Sequence, residues 1–506
     1  MRFGFVVTLT LLLAAPAAPA GPAQPAEPRV GPQRICNPLP LPNYPVGRRV
    51  RDAVRGEPTG DDSLWLQPRK EQFRELADPT ALWHEGKWYL YPSCDMAWVS
   101  ADEGLTWQHR PLNIRDVGYA PTVVRHAGRF LLLASDSEMY ASASPLGPFE
   151  KLGPMQMPTV EGMPGQTDPM LFSDDDGRLY YYWGCTPRSG IWAVELDARN
   201  PVRLVGQPRE VIPFRPDTFP WERLGNWNQN PDTGWMEGAW MLKHQGRYYL
   251  TYSSGGTQYR GYAMGCYRAA SPLGPFTPQK RNPIFRSTDG LLTGTAHGSI
   301  VAGPRGRLWA FYTLVAGVVH GFERRVGLDV VEVDEQGDLF VPSATSMPQA
   351  LPGAAAEPWL PLNDGELTVG SSNAPNLAGR FAVDNSLLTW WQPTPEDAQP
   401  VLTTRFASPA MVQAARVVWR DVGLDTPKGV LPGPFRYRIE VETAPGVFTT
   451  AIDRSASTED FLVDYRECKP VVGTQARLVI LGHPEGIVPA VAELTLFGVP
   501  ERRAAR

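Results

Sequence analysis

The stretch "QTDPMLFSDDDGRLYYYWG", residues 166–184, decides how this chain is read. Asp176-Gly177 sits between two apolar runs, and a turn that needs positive φ takes Gly without steric cost. Pro169–Ser173 and Arg178–Gly184 therefore read as two antiparallel strands. Asp168 stands just ahead of the hairpin, followed by a Pro that fixes its own φ and disfavours helix at the acid before it. An extended Asp168 with a rigidly aimed carboxylate is the expectation.

Four relatives of this hairpin lie along the chain: "ADPTALWHEGKWYLYPS" from Ala77, "APTVVRHAGRFLLLAS" from Ala120, "EGAWMLKHQGRYYLTYSS" from Glu237 and "HGSIVAGPRGRLWAFYT" from His297. Each has an apolar run, a turn ending in Gly and Lys or Arg, and an aromatic-rich strand. "SPLGPF" occurs twice, at Ser144 and Ser271. Strand-rich repeats at intervals of roughly 40–70 residues, without helical periodicity, imply radial four-stranded blades. Five copies imply five blades. The fold class is thus all-β, a five-bladed propeller over 36–350.

Inner strands of a propeller line its axis, so the starts of the five strands point toward one another. Those positions hold Asp78, Ala120 with Pro121, Asp168, Glu237 and His297. A lone Asp-Pro is ordinary turn chemistry, but three acids in register are a constellation. Paired carboxylates are the usual machinery for cleaving a glycosidic bond, one as base and one as proton donor. A third acid tunes the donor, because like charges raise one another's pKa.

Around this core the sequence is bounded by composition. The 506 residues suffice for two or three domains, and the net charge of −5 offers no basic face for nucleic acid. Residues 1–20 read as an export signal ending at Ala18-Pro19-Ala20, followed by a Pro-rich spacer at 21–35. The expected location is secreted or periplasmic, without membrane insertion. Five widely spaced cysteines form no disulfide framework and read as buried thiols. Sixteen Trp residues offer both core filling and sugar stacking. Trp98, Trp183 and Trp240, near blade starts or inner-strand ends, are the candidates for stacking. The long Pro-, Asn- and Trp-rich insertion before Glu237 reads as a pocket wall, favouring attack on chain ends.

The stretches "ADPT", "TDPMLF", "WMEGAWMLKHQGRYYLTYS" and "GTAHGSI" resemble glycoside hydrolase family 43, five-bladed enzymes that invert the anomeric centre. The resemblance implies Asp78 as general base, Glu237 as general acid and Asp168 as the residue tuning the acid. It places His297 at the family's axial His, which often sits beside a bound water or Ca²⁺. Inversion requires room for a water, with the Asp78 and Glu237 carboxyls ~6.5–9.5 Å apart. The related retaining propellers, invertases and levansucrases, carry Asn-Asp-Pro, Arg-Asp-Pro and Glu-Cys, which this chain lacks. "SADEGLTW" at 100–107 fits the sialidase hairpin box, but a single copy without an Arg cluster reads as a turn. The expected activity is an exo-α-L-arabinofuranosidase on oligo- or polysaccharide side chains, with β-xylosidase and β-galactofuranosidase or galactosidase as alternatives. A non-catalytic, lectin-like sugar-binding propeller is the alternative of another class.

"LPGAAAEPWLP" at 351–361 reads as a linker. Strands beyond it, over 362–500, resemble a discoidin-type or family 32 carbohydrate-binding β-sandwich. Such modules often carry a structural Ca²⁺. By resemblance Asp384, Thr389 and Glu493 are its ligands, with hard oxygens that suit the ion. Asn385 stands where the family pattern has Gly. No cofactor is expected for the chemistry itself.

Overall fold

The computed structural model describes residues 34–44, 72–93, 96–114, 118–354 and 356–501. The predicted export signal and Cys94 lie outside these residues, as does all but the end of the spacer. Five sheets follow one another, each antiparallel and each taking its strands in chain order. Blade I runs from Thr80–His84 to Gln108–Pro111, blade II from Thr122–His126 to Glu150–Gly153, and blade III from Met170–Ser173 to Leu204–Ile212. Blade IV starts with Met236–His244, and blade V spans Ala296–Ala302 to Leu339–Phe340. Blade IV carries a fifth strand, Phe285–Arg286, on its third. The opening hairpin is present as read: Met170 to Ser173 pair with Tyr182 to Leu179, and Gly177 takes a φ of 83°.

Aromatic second strands fill the spaces between blades. The Tyr91 hydroxyl of blade I donates to Pro145 O at 2.6 Å, and Tyr182 of blade III donates to Pro272 O at 2.5 Å. Both acceptors lie in the repeated "SPLGPF", so the hexapeptide is a socket for the preceding blade's tyrosine. The box at 100–107 is a self-contained turn. Ser100 Oγ accepts from Gly104 N, Asp102 accepts from Thr106 N, and the Trp107 indole donates to Gly104 O.

Two domain boundaries differ from the sequence reading. Arg34–Ile35, assigned to the spacer, pairs with Gln349–Ala350 and clasps the two ends of the propeller segment together. Leu360–Pro361, assigned to the linker, pairs with Gly498 and Phe497. Backbone pairing partners, distant in sequence, draw both pairs of residues out of the flanking coil.

The C-terminal strands form one seven-stranded antiparallel sheet. Its long strands Val401–Val422 and Val463–Gly482 carry register shifts, which redirect a strand and increase its twist. Trp391, Val417, Trp419, Tyr437, Leu478 and Leu494 share one buried core beneath it. Among the described residues no helix is long and apolar enough to cross a membrane.

Candidate active site

At the starts of four inner strands the backbone turns left-handed. Asp78, Ala120, Asp168 and His297 have φ of 49°, 48°, 53° and 32°. This corrects the extended conformation expected ahead of Pro. The cause is a hydrogen bond from the neighbouring blade. The N–H of Asp78 donates to Thr313 Oγ1 at 2.7 Å, that of Ala120 to Ser93 Oγ at 3.1 Å, that of Asp168 to Ser135 Oγ at 3.0 Å, and that of His297 to Ser253 Oγ at 2.7 Å. Each hydroxyl comes from the end of the second strand of the preceding blade, with blade V serving blade I. Residues held in this region carry strain that the surroundings over-determine, a frequent property of functional sites.

Blade IV departs from the register. Its left-handed position is Gly238, φ 63°, and Glu237 lies one residue earlier, paired with Ser253 just before a register shift. The expectation of three acids in strict register is therefore corrected to two, with the third displaced by one. The reason is the His297 ring. A Cβ on residue 238 would lie 2.8 Å from it, so only Gly fits there, and the acid enters from the preceding position.

Asp78, Asp168 and His297 converge. His297 Nδ1 is 3.2 Å from Asp78 Oδ1 and 3.9 Å from Asp168 Oδ2. Asp78 receives a guanidinium fork from Arg324, NH1 to Oδ1 at 2.8 Å and NH2 to Oδ2 at 3.0 Å, plus the Ser93 hydroxyl at 2.8 Å. Glu237 is surrounded differently. The Trp235 indole donates to Oε2 at 2.7 Å, the Cys185 thiol donates to the same oxygen at 3.1 Å, and the Tyr262 hydroxyl donates to Oε1. Burial drives the Asp168 carboxyl up to about 7. His297 opposes the rise, and the Glu237 and Asp78 charges add to it. Burial, with Asp168 and Glu237 nearby, also pushes the Cys185 thiol far up, so it stays a neutral donor.

The three tryptophans proposed for stacking are not in the site. Trp98 and Trp183 are 0 % exposed and Trp240 is 8 % exposed. Their indoles donate to Pro42 O, Pro164 O and Ile300 O, and Trp183 stacks on Tyr181 at 4.6 Å. They are core residues, because strand alternation turns them between blades. The aromatic groups at the acids are instead Trp235 and Tyr262. Arg324, Cys185, Trp235 and Tyr262 were all missed from sequence. Trp235 had a signal, standing two residues before Glu237 at the end of the insertion. Arg324 and Tyr262 had none, since only ring closure sets them beside their partners.

The proposed Ca²⁺ ligands do gather in the C-terminal domain. Thr389 Oγ1 donates to both oxygens of Asp384 at 2.9 and 2.8 Å, and Asn385 N donates to Glu493 Oε2 at 3.2 Å. Burial raises the Glu493 carboxyl to about 8, with Arg416 opposing and Asp384 adding to the rise. A buried carboxyl beside a second acid, all ligands being oxygen, fits a hard divalent cation. Asn385 has φ 59°, a conformation Asn tolerates better than most residues, which accounts for its standing in a Gly position.

The family model of the glycosyl hydrolases family 43 matches residues 96–339. A Beta-D-galactofuranosidase of Aspergillus niger is 29 % identical over 265 residues, covering 44 % of this chain and 69 % of its own length. Xylosidase/arabinosidase 43A of Humicola insolens is 28 % identical over 339 residues, covering 52 % and 95 %. A solved structure described as a glycoside hydrolase superposes with a TM-score of 0.49 at 18 % identity, covering 83 % of this chain and 97 % of its own. The propeller thus matches the glycosyl hydrolases family 43 over most of its blades, and the protein is a glycoside hydrolase.

Proposed function

We propose that the protein is an exo-acting, inverting α-L-arabinofuranosidase. Asp78 is the general base, Glu237 the general acid, and Asp168 the group that tunes and orients the acid. The observation that supports this division is the asymmetry of partners. Asp78 faces the Arg324 fork, the geometry that suits an ionised carboxylate, and an ionised acid takes a proton from water. Glu237 is held in place by three neutral donors, without an arginine among them, and the family resemblance assigns it the proton transfer to the leaving oxygen. His297 bridges Asp78 and Asp168 and fixes their spacing. The names of the relatives support the sugar. One acts on a galactofuranoside and the other is a xylosidase/arabinosidase. Arabinofuranose shares the furanose ring with the first and the pentose with the second. The insertion that ends at Trp235 supports a closed, chain-end pocket. Export with cleavage near Ala20, and a structural Ca²⁺ held by Asp384, Thr389 and Glu493, complete the proposal.

A panel of nitrophenyl glycosides with NMR of the first-formed anomer tests this reading. The α-L-arabinofuranoside should turn over fastest and release the β-anomer. Faster xyloside or galactofuranoside hydrolysis reassigns the sugar, and a retained anomer removes inversion. Glu237→Gln should lower turnover ~10²–10⁴-fold with binding retained. Sugar binding without any turnover favours the lectin-like alternative.

A further inference from the structure

The C-terminal domain holds the two propeller segments that meet at Arg324, one through Arg74 and one through Glu323. The strand Val401–Val422 presents two adjacent charged residues, Arg420 and Asp421, to the propeller. Asp421 takes a fork from the buried Arg74, Nε to Oδ2 at 2.7 Å and NH2 to Oδ1 at 3.0 Å, and Asp460 takes the third nitrogen at 2.5 Å. Arg74 begins the short segment that carries Glu75 and Asp78. Arg324 Nε donates to Glu75 Oε1 at 2.5 Å, and Leu76 N donates to Arg324 O at 3.2 Å. The segment anchored by Asp421 thus holds the guanidinium and the acid it faces.

Arg420 works from the other side. NH2 donates to Glu323 Oε2 at 2.9 Å and NH1 to Ala316 O at 2.8 Å. Glu323 in turn accepts the N–H groups of Val318 and Val319 at 2.9 and 3.0 Å, closing the loop that leads into Arg324. Glu323 immediately precedes Arg324. Arg325 immediately follows it and donates to Arg74 O at 2.6 Å. Arg74, Glu75, Asp78, Glu323, Arg324 and Arg325 are all buried, where an ion pair broken on one side leaves an uncompensated charge.

We propose that Arg420 and Asp421 are positioning residues for the Arg324–Asp78 pair, which makes the C-terminal domain part of the catalytic unit rather than only a sugar-binding appendage. The inference rests on the reading of Asp78 as the base. Small misplacement of a catalytic group costs rate out of proportion to the displacement. An interface that only joined two domains would instead affect stability alone.

A double-mutant cycle separates the two. Asp421→Asn, which leaves Arg74 its Asp460 partner, should lower kcat roughly tenfold with KM within about twofold of wild type. In an Arg324→Lys background the same substitution should change kcat less than about twofold, because the group it acts through is already altered. Glu75→Gln serves as a second background, and Arg420→Lys as a second probe if Asp421→Asn fails to fold. An equal fall in both backgrounds, an unchanged kcat, or an effect confined to KM or Tm overturns the proposal. Asp78→Asn is measured alongside. Wild-type turnover there overturns the reading of the site itself, whereas an additive cycle with an inactive Asp78→Asn overturns only the positioning role.

Discussion

Asp168 shows what a single residue gives up for its place in the site. Its ordinary value of 3.8 is raised to about 7, first by burial and then by the neighbouring acids against the pull of His297. A group raised in this way adds stability that is fully present below its unfolded value and is lost as pH rises through the folded one. Above that point the folded protein must keep a charge buried that the unfolded chain holds in water. Asp168→Asn should therefore be more thermostable than wild type at pH 8. The gap in Tm should open between about pH 4 and 7 and stay level beyond. A constant gap across that range would show that burial does not tune this carboxyl. Turnover should fall in the same variant, the trade expected where a strained site serves function.

At the scale of elements, the inter-blade hydrogen bond does the work that the Asp-Pro pairs were read as doing. Ser93, Ser135, Ser253 and Thr313 each end a second strand and accept the N–H of the next blade's left-handed residue. In blade III the stretch after Trp183 holds Cys185, and its sulfur turns to Glu237 instead. Blade IV is also the blade whose acid is displaced by one residue. Ser135→Ala leaves the Asp168 N–H without its partner and should cost about 1–3 kcal/mol. Urea unfolding measures that loss, and kcat should drop as Asp168 relaxes. Full activity with the stability loss would make the bond purely structural. Gly238 is the matching constraint from the other side, since its missing Cβ makes room for the His297 ring.

Across the whole molecule the two domains share buried charge. Arg416 of the C-terminal sheet is buried and donates to Asn37 O and Ser346 O of the propeller segment. It also lies close enough to Glu493 to oppose the rise in that carboxyl. A cation at Asp384 and Glu493 would satisfy the Glu493 carboxyl that this arginine serves only in part, together with the acid beside it. Millimolar Ca²⁺ should raise the Tm of the full chain, and EGTA should reverse the gain. A ligand at 100 times its Kd contributes about 2.7 kcal/mol. Asp384→Asn should lose the response, and a wild-type Tm blind to Ca²⁺ would remove the ion from the proposal.

Local rules carried the hairpins, the blade number and the candidate acids. Turn chemistry at Asp176-Gly177 and alternation in "RLYYYWG" act over a few residues, and five such units leave a propeller as the architecture that buries them. Asp78, Asp168 and Glu237 were legible because each opens a repeat. Folding alone decided what surrounds them. The left-handed backbone of Asp78 and Asp168 overrides the preference set by the following Pro, because a hydroxyl from another blade supplies the bond. Trp98, Trp183 and Trp240 went to the core, since the face a strand shows depends on its neighbours. Arg324 reaches Asp78 across 246 positions of sequence, a meeting that no local pattern encodes and that ring closure, braced by the second domain, brings about.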